Sequence, residues 1–245
     1  MSDLGTVMWR EWRSLVVGGR LRQSILSVLP ALILPVFGPL QLGPRWVTDP
    51  ILPVLLVVAT ALVTVHTMIP DAFAGERERR TLATLLASRL PDRAILAGKM
   101  AVPVFVDVVL TILLLGLSLL IVNVLHPRPE PLLFSPAYLV ALPALSMLLA
   151  VFTASVGVFI SLRSETVQGA QQLLVAVMTG PPIVVSLALM AIASATGEDV
   201  PLFERQLAPE TLVAIGGVFL LIDVAIVWWV TSHFRRSRLV ALTAD

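Results

Sequence analysis

The chain has 245 residues, of which 57% are hydrophobic and only 13% charged, with a formal net charge of +1. Its mean hydropathy is +0.93; soluble chains are roughly 45–50% apolar and about 25% charged, so composition excludes an ordinary soluble domain and indicates an integral membrane protein. The absence of cysteine excludes disulfides, thiolate metal sites and a cysteine nucleophile, and so balanced a charge gives no reason to expect a nucleic-acid partner.

Residues 3–18 are predicted to form an amphipathic helix lying along the membrane interface. Leu4, Met8, Trp12 and Val16 recur every four residues with Leu15 on the same face, and Asp3, Arg10 and Arg13 lie opposite. The first apolar run follows four arginines and has no small-x-small cleavage site, so it reads as a span and not as a signal peptide. Six segments approach the roughly 20 apolar residues that a bilayer requires: 25–42, 51–70, 99–124, 137–162, 172–195 and 211–231. Backbone groups in lipid must be satisfied within the segment, so all six are expected to be helices, and no alternating pattern of a membrane β-barrel is present. The first contains Pro30, Pro35 and Pro39 and is expected to be kinked or broken.

Lysine and arginine set the orientation. With both termini in the cytoplasm, fourteen of the seventeen basic residues fall inside, and only Arg45, Arg128 and Arg205 fall in outer loops. The outer loops are proline-rich (HPRPEP, 126–131) or acidic (GEDVPLFERQ, 197–206).

Between spans two and three lies the cytoplasmic stretch GERERRTLATLLAS, residues 75–88. Its Glu, Arg, Leu and Ala content favours a helix beginning at Glu76, with Glu76 and Glu78 early, where the helix dipole favours acids. Leu82, Leu85 and Leu86 then form one i, i+3, i+4 apolar face. Two readings fit this pattern: a helix that docks in a partner's groove, or a solvated positive-inside anchor loop.

Three ionisable residues, His66, Asp107 and Asp223, lie inside predicted spans. Such groups are costly in lipid and point either to a translocation path or to interhelical polar contacts; His66 and Asp107 fall at similar depth and could meet. The fourth span carries a stripe of small residues, Ser146, Ala150, Ala154, Gly157 and Ser161, suited to close helix packing within the chain. Arg163, Ser164 and Glu165 end that span, and Gln168, Gln171 and Gln172 open the next, as a second, shorter cytoplasmic contact or a simple polar turn.

A phosphate-binding loop needs G-x-x-x-x-G-K-[ST]. The single lysine, Lys99, is followed by Met100, so the motif is absent. His66, His126 and His233 are dispersed, and no metal site is expected. There is no GxSxG elbow. Uphill transport by this chain would draw its energy from a partner.

The order of span, Phe73, Glu76, Glu78, Thr81, Leu82, Leu85, Leu86, Ser88, Pro91, Gly98, Lys99 and span resembles the permease subunit of type-2 ATP-binding-cassette (ABC) exporters. The resemblance extends over nearly the whole chain, although Arg80 stands where members commonly carry glycine. It implies an all-α permease of six spans with an interfacial amino-terminal helix and a coupling helix between spans two and three. It also implies a cytoplasmic ATPase subunit, which would hold the ATP and Mg²⁺, and a second permease copy or sibling in a bacterial or archaeal cytoplasmic membrane. On that resemblance Glu76, Glu78, Thr81, Leu82, Leu85 and Leu86 would contact the ATPase. An ATP-independent carrier or channel is the alternative from another class, and an intramembrane enzyme using His66 and Asp107 is the third.

Overall fold

Helices that cross a bilayer can outrun their apolar runs, because the helix continues until a cap or a breaker ends it. In the computed structural model the described residues are 5, 7–9, 12–13, 29–79, 91–196 and 209–233, and the predicted docking residues Thr81, Leu82, Leu85 and Leu86 lie outside them. Among the described residues every regular element is a helix. A 3-10 turn, Leu29–Leu32, leads into α1 (Ile33–Leu42) and α2 (Arg45–Thr48); there follow α3 (Ile51–Glu78), α4 (Asp92–Leu125), α5 (Pro136–Ser161), α6 (Val167–Thr196) and α7 (Pro209–His233). Among the described residues three stretches are long and apolar enough by themselves to cross a membrane: Ile51–Glu78, Ala94–Leu125 and Pro136–Ser161. Two shorter apolar helical stretches are Ile33–Leu42 and Gly216–Trp229.

Of the first predicted segment, 25–42, residues 29–42 are described; the α-helical part, α1, has ten residues, about 15 Å at 1.5 Å per residue. The 3-10 turn precedes it, and Gly43 reverses the chain after it with φ 53°, a left-handed geometry that glycine tolerates best. Pro70, the last residue of the predicted segment 51–70, lies inside α3, which continues for two more turns to Glu78. Pro70 lacks the amide that would have reached the His66 carbonyl one turn back, and a neighbouring helix makes a polar contact at the following residue. Gln171 of α6 donates its Nε2 to the Thr67 carbonyl at 3.4 Å. The start of α5 follows its sequence closely: Pro136 at the first turn, with Ser135 as N-cap accepting from the Tyr138 amide at 3.5 Å.

α3, α4 and α5 pack on one another at the centre, with α6 against α3 and α5, α7 against α5, and α1 against α4. The small-residue stripe of α5 is buried throughout, as its spacing predicts. A Cβ on Gly157 would lie 3.0 Å from Ile69 of α3 and 3.1 Å from Leu174 of α6, so the stripe lets α5 approach both. The buried side chains form two large clusters at different depths. One, toward the end where α3 finishes, joins Val65, Ile69, Phe73, Leu96, Met100, Ala150, Ala154 and Val158. The other, toward the opposite end, joins Trp46, Leu56, Val57, Leu114, Val122, Phe134 and Leu142. Between them on all three central helices lie polar residues: Thr64, Asp107, Thr111 and Ser146.

The described amino-terminal residues are helical and lie on α4. Val7 is buried over Gly98, where a Cβ would fall 2.5 Å from the valine Cγ1. The Trp12 ring meets Phe105 edge-on, with centroids 6.4 Å apart. Trp9 is 60% exposed. Val7 is not on the predicted stripe; it is the residue seated here because the missing side chain at Gly98 makes a notch at that point. Replacing Gly98 by valine is therefore expected to overpack the notch by about 1–3 kcal/mol and lift this segment. The chain has no native cysteine, so the maleimide reactivity of a single Val7→Cys probe should rise in the Gly98→Val background.

Candidate functional site

At the end of α3, four consecutive charged residues are each tied down. Glu76 is buried and pairs with Lys99 of α4: Lys99 Nζ donates to Glu76 Oε1 at 2.9 Å and to the Ala72 carbonyl at 2.8 Å. The ammonium also lies 5.5 Å from the centre of the Phe73 ring, within cation–π range. Lys99 itself is 1% exposed.

Arg77 and Glu78 reach in opposite electrostatic senses. The Arg77 guanidinium donates to the carbonyls of Leu162 (2.9 Å) and Ser164 (3.1 Å), at the C-terminal end of α5, where the helix dipole is negative. The Glu78 carboxylate accepts the Val167 amide at 2.8 Å, at the N-terminal end of α6, where it is positive. Each charge therefore complements the helix end that it touches. Arg79 bridges back to Asp71 at 3.2 Å, an exposed pair of the kind that contributes little. Arg163 stacks over Phe159 at 3.9 Å.

These partners alter the reading of Glu76 and Glu78. They were expected to open a short helix and benefit from its positive end, but they close the long helix α3, where the dipole disfavours acids. The buried Lys99 and the first amide of α6 supply the compensating positive partners. Both carboxylates have partners inside the chain, which local propensity could not reveal. Gln171 bonds to α3, and the 162–166 turn is held by Arg77, so this turn is built into the same assembly.

The intramembrane candidates do not converge. His66 Nδ1 bonds the Leu62 carbonyl of its own helix. Asp107, fully buried, accepts from Ser146 of α5 at 2.7 Å, and Ser146 shares a further bond of 3.1 Å with Thr111. No hydrogen bond joins His66 to Asp107, which leaves the enzyme reading without its pair of groups. Asp223 is 3% exposed on α7, and neither of its oxygens has a hydrogen-bond partner among the described residues. It sits on a helix held to α5 by ring contacts: Phe219 on Phe152, with centroids 5.9 Å apart, and Trp229 on Phe159, at 5.2 Å. Among the described residues no cluster of His, Cys, Asp and Glu could hold a metal ion.

Sequence reasoning missed Asn123, a lone amide near the end of an apolar run. Its Nδ2 donates to the carbonyls of Leu119 and Leu132 at 2.9 Å each, and its Oδ1 accepts the Leu132 amide at 2.7 Å. That paired contact folds the 126–135 connection back onto the end of α4. An amide inside a hydrophobic run was the available signal.

The arrangement is that of a membrane bundle with a braced, charged end and no nucleotide-binding loop. No curated protein matches the chain. The family model described as ABC-2 type transporter matches residues 2–207, a range that takes in the amino-terminal segment, the braced end and α1 to α6. The chain belongs to the ABC-2 type transporter family, as a membrane-embedded transport component and not as the catalytic one.

Proposed function

We propose that this chain is the permease subunit of an ATP-driven exporter, with six spans and both termini in the cytoplasm. A separate cytoplasmic ATPase, loaded with ATP and Mg²⁺, would engage it through the 80–90 segment and drive movement of a substrate across a bacterial or archaeal cytoplasmic membrane. A second permease subunit, a copy or a sibling, completes the transporter. The observation that supports this reading best is the bracing at the end of α3. Arg77 and Glu78 attach that helix end to α5 and α6, and Glu76 attaches it to Lys99 of α4. The segment that follows Arg79 therefore leaves a point tied to three other helices, and a push or pull there is passed to all of them. The 14-to-3 division of basic residues supports the cytoplasmic side, and the missing P-loop supports an external source of energy.

The leucine face is the part of the reading that a mutation reaches directly. Leu82→Asp together with Leu86→Asp is expected to reduce recovery of the co-purifying ATPase about tenfold or more, because each buried leucine contributes ~1.5–3 kcal/mol. Membrane insertion should be unaffected. Undiminished association in that double variant would remove the docking role from this face.

A further inference from the structure

An arginine at the end of a membrane helix has two ordinary outlets. It caps the last carbonyls of its own helix, where the dipole is negative, or it extends outward into water. Arg163 follows α5 directly. The carbonyls of Leu162 and Ser164 are occupied by Arg77, and that of Ile160 by the Ser164 amide and hydroxyl. The Arg163 guanidinium turns back along α5 and lies 3.9 Å from the centre of the Phe159 ring. Phe159 precedes Arg163 by four residues, about 6 Å along the axis, so the charge is drawn toward the apolar span and away from the helix end.

Its surroundings are those of a membrane interface. Phe159 meets Trp229 of α7, and Trp228 and Trp229, both exposed, close the apolar stretch Gly216–Trp229. Tryptophans at the end of an apolar run mark the head-group level of a bilayer. The charge balance at this level is positive. Arg163 is exposed and pairs with none of the described acids. Glu76 is committed to Lys99, Glu78 to the Val167 amide and Asp71 to Arg79, and Glu165 is exposed without an ion pair to Arg163. Beyond α7 the sequence adds Arg235, Arg236 and Arg238 within nine residues of Trp229, and no acid before Asp245. A guanidinium at head-group depth with no carboxylate beside it matches the anion that a bilayer carries there, the phosphate of a phospholipid. Its planar fork donates two parallel N–H bonds to phosphate oxygens. A lipid of net negative charge is favoured over a zwitterionic one, whose own ammonium offsets the phosphate, by about fivefold for each basic residue at the surface.

We propose that Arg163, stacked on Phe159 and flanked by Trp229, binds the head group of an anionic phospholipid at the seam between α5 and α7. The guanidinium donates to the lipid phosphate, and the exposed tryptophans lie against the glycerol and the first part of an acyl chain. The lipid joins α7 to α5 at a point where the two helices are otherwise held by ring contacts. The site needs no docked ATPase; only its assignment to the inner leaflet rests on the orientation proposed above.

The test uses the full-length protein in uncharged detergent micelles, titrated with dioleoylphosphatidylglycerol or with dioleoylphosphatidylcholine. Native mass spectrometry reads the affinity of each bound lipid. The first phosphatidylglycerol is expected to bind about fivefold or more tighter than the first phosphatidylcholine. Arg163→Gln should bring the two lipids to within about twofold of each other. Arg163→Lys keeps the charge but not the fork, and should weaken phosphatidylglycerol about two- to threefold. Arg79→Gln, at the same end of the bundle but paired with Asp71, should leave the preference intact. If Arg163→Gln does not fold, the wild-type comparison and Arg163→Lys still decide. Equal affinities in the wild type overturn the proposal, as does a preference that survives Arg163→Gln. An equal loss in Arg79→Gln assigns the preference to general charge and overturns it. An Arg163→Gln protein that keeps the preference but recovers less of a co-purifying ATPase assigns Arg163 to a protein partner and overturns it as well.

Discussion

Lys99→Met is expected to destabilise the folded protein by about 3–5 kcal/mol, the usual cost of leaving one member of a buried ion pair alone. Lys99 and the Glu76 carboxylate are 2.9 Å apart with side-chain exposures of 1% and 12%, so neither bulk water nor salt can substitute for the missing partner. The ammonium also bonds the Ala72 carbonyl and faces the Phe73 ring, and methionine replaces only the stem. The pair as a whole is a different matter. Replacing both ends, Lys99→Met with Glu76→Met, should be milder than Lys99→Met alone, because no unpaired charge then stays buried. SDS titration of the four proteins of the cycle measures this directly. If the double variant is as unstable as the sum of the singles, the two residues do not act as a unit. Because Glu76 adjoins Arg77 and Glu78, the same single variant should loosen the end of α3.

The second large effect is expected at the opposite end of the bundle. Trp46 is 2% exposed and lies flat against α1 at Gly38, where a Cβ would fall 2.1 Å from the indole ring. It is packed with Leu56, Val57, Leu114, Val122, Phe134 and Leu142, and so joins the short elements α1 and α2 to the three central helices. Trp46→Ala is expected to cost about 3 kcal/mol. The value falls at the low end for a tryptophan, because lipid is as apolar as the protein interior and the loss comes mainly from the cavity and its missing dispersion contacts. SDS titration checks it, and a loss below about 1 kcal/mol, typical of a surface site, would show that the α1–α2 corner is not anchored there. Gly38→Ala should destabilise in the same direction, by pushing the ring off α1 instead of removing it.

The family resemblance read from Phe73 to Lys99 holds over most of the chain, since the family match runs over residues 2–207. The helical class was legible because hydropathy alone demands it: a segment in lipid has to satisfy its own backbone. The buried α5 stripe was legible because its spacing follows the helical period. The predicted ends were less secure. Hydropathy bounded the second segment at 51–70, whereas the helix α3 continues to Glu78, where its neighbours hold it.

What the sequence determined by itself was therefore the all-helical membrane class and the apolar stretches that carry it, since these depend on composition within about 20 residues. Only the tertiary structure decided the partners. Glu76 meets Lys99 across 23 residues, Glu78 meets Val167 across 89, and Asp107 meets Ser146 across 39. Periodicity shows which face of a helix is apolar but not which helix lies against it. In a bundle apolar on nearly every side, the match of a charge to a helix end or of a carboxylate to a hydroxyl appears only when the helices are brought together.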